Sequence, residues 1–198
     1  MSVSIDDIKK LKELTGVGLT DAKRALVEAE GDFDKALAQM RKKGLTRAEK
    51  KGDREAREGI IDSYVHSGRI GVVLELNCET DFVARLDDFK TLAHELSMQV
   101  AAMSPIYATE DDIPAEDIAK FKAEAKASDG LSGKPAEMID KIVDGQVKKH
   151  FSEKVLMSQT YILDDSKTVE QHIKENIAKL GENIRVGQFK RIELGVSE

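Results

Sequence analysis

Ile70-Gly71-Val72-Val73-Leu74-Glu75-Leu76 is followed without a break by Asn77-Cys78-Glu79-Thr80-Asp81-Phe82-Val83-Ala84-Arg85. The first seven residues are rich in β-branched and aliphatic side chains and read as a strand. The Asp87–Leu96 stretch, with Phe89, Leu92, Ala93, Leu96 and Val100 at helical spacing, reads as a helix that ends near Met103-Ser104-Pro105. The segment between them is therefore a strand-to-helix junction, held by rigid elements on both sides with its side chains free to point outward. By local rules Thr80 is a helix cap, Asp81 a first-turn charge and Phe82 a core residue.

Upstream, Ile60–His66 and Arg69–Leu76 flank His66-Ser67-Gly68-Arg69, the pattern of a hairpin with glycine at the turn. The second strand is apolar on both faces, which places it inside a sheet or under helices. Downstream, Ser104–Ala108 reads as extended, and Pro114 opens a charged helix through Ile118 and Phe121 to about Ala127. Asp129–Lys134 reads as a loop, and Pro135 starts a helix through Met138, Ile142 and Val143. Asp164–Lys167 reads as a turn, and Thr168 caps a helix closed by Gly181. Asn183–Leu194 alternates with period two and reads as a strand with one polar face. Strands at both ends with helices between give an α+β domain, an antiparallel sheet packed against helices.

The first forty-odd residues have a different period. Ser4 caps a helix carrying Ile5, Ile8 and Leu11, and Thr15-Gly16-Val17-Gly18 breaks it. A second helix runs through Ala22, Ala25, Leu26 and Ala29 to Gly31, and Asp32 caps a third that Gly44 stops. Three short helices with a tight glycine loop between the first two resemble the ubiquitin-associated fold, whose modules bind partners. Residues 41–58 then carry eight positive charges, Arg41, Lys42, Lys43, Arg47, Lys50, Lys51, Arg54 and Arg57, against four negative ones. This reads as a solvated, partly helical linker, with an RNA-contacting patch as the alternative. The expected organisation is a three-helix domain at 1–44, a charged linker at 45–58 and an α+β core at 59–198.

Composition narrows the chemistry. A net charge of −6 lacks the basic field of a general nucleic-acid binder. No apolar run is long enough to span a bilayer, and the acidic Met1–Asp7 is not expected to be a secretory signal. One cysteine excludes an internal disulfide and suits a reducing cytoplasm. The four histidines stand at no metal-ligand spacing, no phosphate-binding glycine loop is present, and Gly16-Val17-Gly18 follows a helix instead of a strand. No cofactor, metal or directly bound nucleotide is expected. Cys78 and His94 could in principle pair as thiolate and imidazole, but Cys78 continues an apolar strand, where a thiol is usually inert. The residues describe a two-domain interaction protein, not an enzyme.

The junction also resembles a known signature. Asn77–Ala84, Leu11–Leu26, Lys134–Val143, Ser166–Val169 and Gly181–Ile184 are together similar to the elongation factor Ts family over essentially the full length. The resemblance implies a guanine-nucleotide exchange factor whose partner is the GTPase domain of elongation factor Tu. It implies that Thr80, Asp81, Phe82 and Val83 insert near the partner's magnesium site, with Phe82 as a wedge exposed in the free protein. It implies that Val17, Gly18, Leu19 and Thr20 dock on a second part of the same domain. Thr20 stands where many members carry an apolar residue. Longer members resemble a core of two related halves with an inserted coiled coil, whereas only one hairpin-helix unit is found here. A homodimer through the second domain, with the terminal strand as interface, is therefore expected.

Overall fold

A computed structural model describes residues 3–127 and 136–196; the side chains of Thr46, Arg47 and Ala136 lie outside this description. The expected loop at Asp129–Lys134 and the helix start at Pro135 also lie outside the described residues. The chain runs α1 (Ile5–Thr15), α2 (Leu19–Glu28), α3 (Phe33–Glu49), β1 (Glu58–His66), β2 (Ile70–Cys78), α4 (Asp81–Ala84) and α5 (Asp87–Met103). It continues with α6 (Ala115–Lys126), α7 (Ala136–Ser152), β3 (Thr160–Tyr161), β4 (Asp164–Thr168), α8 (Val169–Leu180) and β5 (Arg185–Glu193). The architecture is α+β, with three N-terminal helices followed by an antiparallel sheet packed against helices.

The capping signals act as chemistry requires. The Ser4 side chain accepts from the Asp6 N–H, Asp32 from Lys35, and Thr168 forms a reciprocal capping box with Gln171. Leu11, Ala22, Ala25, Leu26, Ala29, Ala36 and Met40 then close a small core between α1, α2 and α3. In the second region β1 and β2 pair in register from Glu58↔Cys78 to His66↔Ile70. The three-residue turn between them, Ser67-Gly68-Arg69, puts Ser67 and Gly68 at φ 51° and 68°, and the Arg69 N–H closes it by donating to the His66 carbonyl at 2.9 Å. β5 adds on the far side of β2, so the sheet order is β1-β2-β5.

β2 is central, as its apolar content predicts, but only one of its faces is covered. Val72, Leu74, Leu76 and Cys78 are buried with Phe89, Leu92, Ala93, Leu96 and Val100 of α5 and Val169, Ile173 and Ile177 of α8. Val73, on the opposite face, is exposed, because the packed helices lie on one side of the sheet. α6 and α7 form a separate helical pair joined by Lys122–Asp144 and Lys126–Asp140 bridges of 2.8 Å, with Phe121 stacked on His150 at 4.2 Å.

Three local expectations are corrected. Gly44 does not stop the third helix, which continues to Glu49. A Cβ at Gly44 would lie 3.2 Å from the Ala178 Cβ, so the glycine allows α3 to approach α8 closely. Asp164–Lys167 is not a simple turn, because it belongs to β4 and pairs with β3. Ser104, expected to be extended before Pro105, sits at φ 48° and ψ 49° and closes α5 as a left-handed cap.

Candidate functional site

The turn after β2 is built from alternating inward and outward commitments. Cys78 is buried and donates its S–H to the Thr80 carbonyl at 3.1 Å. Val83 and Ala84 are buried in the main core and pin the single turn of α4 from beneath. Between these anchors Asp81 is partly exposed and Phe82 is 76% exposed. An aromatic ring left in water on a pinned turn is unusual for a residue flanked by core positions. Leu86, just beyond, is also exposed. The 80–83 set therefore divides: Asp81 and Phe82 face solvent, while Val83 anchors.

Thr80 occupies the cap position of α4 but does not cap it with its side chain. Its hydroxyl donates to Glu182 Oε1 at 2.6 Å instead. The Glu79 and Thr80 N–H groups both donate to Glu182 Oε2, at 3.1 and 3.0 Å. In return Glu79 Oε1 accepts the Asn183 N–H at 2.7 Å, and Arg54 lies 3.5 Å from the same carboxylate. Local sequence reasoning assigned no role to Glu182. Gly181–Ile184 stood out only as a matched segment, and nothing local shows that it meets residue 80. Asp81 pairs with Arg85 at 2.7 Å across one helical turn, both side chains being well exposed.

The second expected patch repeats this pattern on a smaller core. Val17 is half-buried against the α1–α3 cluster, Gly18 and Thr20 are exposed, and Leu19 is 53% exposed at the start of α2. Gly16 precedes it at φ 66°, and a Cβ there would lie 2.5 Å from the Lys179 Cα. This close approach seats the loop on the last turn of α8. Lys179 also reaches Asp88 at the start of α5, at 2.9 Å. Both patches are thus tied to the stretch from Lys179 to Asn183, the first through Glu182 and Asn183 and the second through Lys179.

Cys78 and His94 are not brought together. The His94 Nδ1 lies 3.4 Å from Asp62, on the β1 side of α5. Burial, reinforced by the Glu182 charge, pushes the Cys78 thiol from its ordinary value near 9.0 up to about 11. The native state therefore holds this proton more tightly than the unfolded chain does. The stability linked to the neutral thiol is fully present below pH 9.0 and is lost as pH rises through about 11. A thiol reagent at pH 8 is expected to leave the native protein unmodified and to label it at once in denaturant. Rapid labelling of the folded protein would contradict the burial.

Among the described residues no group of three or more His, Cys, Asp and Glu side chains is arranged to hold a metal, and no helix is long and apolar enough to cross a membrane. A cavity of about 570 Å³ opens between α6 and α7 beside Phe121 and His150, and none of its lining residues belongs to either patch.

A family model described as "Elongation factor TS" matches residues 41–196. The chain is 54% identical over 196 residues to the elongation factor Ts of Thermotoga maritima, covering 98% of each chain. It is 48% identical to that of Fervidobacterium nodosum over 196 residues, covering 98% of this chain and all of the relative. It is 47% identical to that of Syntrophomonas wolfei over 194 residues, covering 98% of this chain and 91% of the relative.

Proposed function

The chain belongs to the elongation factor Ts family, whose members act in translation elongation, and from that premise we propose that it binds elongation factor Tu·GDP and promotes GDP release. The observation that carries the reading is the exposed Phe82 ring on a turn anchored from below by Val83 and Ala84. A rigid ring of this kind can enter a partner's surface at little entropic cost, because the turn is already ordered. Inserted near the magnesium site, it displaces the segments whose backbone N–H groups hold the phosphates. Asp81 disturbs the polar network around the metal. To do so it leaves Arg85, and an exposed i,i+4 pair is worth only about 0.3–0.5 kcal/mol. No bond is made or broken, so no acid, base or cofactor is required. Incoming nucleotide expels the factor in turn, since the coupling between two ligands of one protein is reciprocal.

Leu19 and Thr20, set on the loop that Val17 and Gly18 shape, form the second docking point and raise affinity by tethering. The N-terminal unit at 1–44 is then a ubiquitin-associated-like docking module. The 59–198 unit carries the wedge, and 45–58, whose start is the end of α3, joins them. We place the protein in the cytoplasm. The test is the loss of fluorescent GDP from elongation factor Tu with and without this protein; an unchanged release rate sinks the reading.

The alternative, a non-catalytic RNA-associated adaptor using the basic 41–58 stretch, has less support. Arg41 pairs with Glu175, Lys43 with Glu28, Arg54 with Glu79 and Arg57 with Glu55, and Lys51 donates to the Gly181 carbonyl. Cations engaged within the chain are less available to neutralise phosphates.

The open face of the sheet supports a homodimer. Ile61 and Ile192, each 73% exposed, lie on that face with Val65 and Val73, and β5 leaves one strand edge unpaired. Light scattering is expected to give twice the chain mass, and Ile192→Asp should halve it. A monomer for the wild type overturns this assembly.

A further inference from the structure

Glu182 lies outside every residue set considered for partner contact, yet one carboxylate accepts three hydrogen bonds from two consecutive residues at the base of the wedge. Resting on the exchange-factor reading above, we propose that Glu182 is a positioning residue for nucleotide release, fixing the direction in which Phe82 leaves the surface.

α4 has four residues. A single helical turn is not self-supporting, because nucleation costs more than one turn of hydrogen bonds returns. Its orientation must come from outside. The natural device would be a capping hydroxyl at Thr80, but that hydroxyl is turned away to Glu182. The N–H groups of Glu79 and Thr80 would otherwise lack acceptors as the chain leaves β2, and the Glu182 carboxylate satisfies both at once.

The contact is also reciprocal. Glu79 accepts from the Asn183 main chain, so each of two glutamates grips the backbone of the other's segment. Asn183 is buried, and its amide donates to the carbonyls of Gly52 and Arg54 at 3.2 and 2.6 Å. The clasp is thereby tied to the segment that follows α3. Glu182 itself is set by the left-handed cap Gly181 at the end of α8. A free hinge at Thr80 would let the ring sample directions that do not match the partner's groove. Misplacement on the order of 1 Å at a functional group can cost about a hundredfold in rate.

Substitutions separate reach from charge. Glu182→Gln keeps the length of the arm. Its amide oxygen can accept both N–H bonds, and its NH2 can donate to the Thr80 hydroxyl, which reverses its role. Glu182→Asp keeps the charge but withdraws it by one methylene. GDP release from elongation factor Tu is measured against factor concentration, giving a maximal rate and a half-saturating concentration. E182Q is expected to stay within about threefold of wild type on both. E182D and Glu182→Ala are expected to lose about tenfold or more in maximal rate, with little change in the half-saturating concentration. A merely structural loss would lower the folded fraction, raising the half-saturating concentration and leaving the maximal rate intact. Circular dichroism reports the folded fraction of each variant, and E182D carries the test if E182A does not fold. The proposal is overturned if E182D matches wild type in maximal rate, or if E182Q falls as far as E182D. A wild type that fails to accelerate release refutes the exchange-factor reading itself before any variant is compared.

Discussion

Phe82→Ala leaves the protein folded and lowers the maximal rate of GDP release from elongation factor Tu by on the order of a hundredfold. The ring is 76% exposed, so its truncation removes little apolar area from the folded core. Exposed substitutions of this kind usually change stability by no more than about 0.5 kcal/mol. The same ring, seated in a partner pocket, has the character of an interface hot spot, where truncation costs about 2–4 kcal/mol. That range spans roughly thirtyfold to a thousandfold, since about 1.4 kcal/mol is a factor of ten. Stopped-flow release of labelled GDP at saturating factor reads the rate, and a thermal melt reads the fold. A variant as fast as wild type would remove Phe82 from the mechanism. A variant that melts many degrees lower would show that the ring is structural.

Phe89→Ala gives the opposite result. This second phenylalanine, seven positions on, is 0% exposed and packs among Leu92, Leu96 and the buried face of β2. Truncation removes the transfer free energy of the ring and leaves a cavity, at a cost of about 3–5 kcal/mol. Small domains have about 5–15 kcal/mol in all, so this is a large fraction. Urea unfolding should show a lower midpoint with an unchanged slope. The variant, held below its midpoint, should still release GDP at close to the wild-type rate per folded molecule. An unshifted midpoint would contradict the position of Phe89 in the core.

The two rings also show what could be read from sequence. Phe89 belongs to a stripe with Leu92, Ala93, Leu96 and Val100, and a helix that long writes its buried face into its periodicity. Phe82 sits on a turn too short to have a period, and local rules sent it to the core. Only the resemblance put it in solvent, where the structure places it. The same limit explains Gly44. Glycine signals a stop when the chain is read alone, but the reason for a glycine there is Ala178, on a helix far along the chain. Asp164–Lys167 has turn chemistry, yet Asp164 pairs with Tyr161, and Thr168, just beyond the stretch, pairs with Thr160. Glu182 is the extreme case. Its two oxygens serve Glu79 and Thr80, and no spacing rule links residues so far apart.

Among the described residues α3 is the one helix that contributes to both cores. Ala36 and Met40 sit in the N-terminal cluster, and Ala48 sits in the cluster of the sheet. A helix advances about 1.5 Å and turns about 100° with each residue. α3 is therefore a keyed shaft: the azimuth of one docking surface relative to the other is encoded as a residue count between Met40 and Ala48. One residue inserted there would swing the Leu19 loop about 100° round the axis, off its seat against Lys179. Each surface could keep its own fold while the pair lost its bearing on a common target.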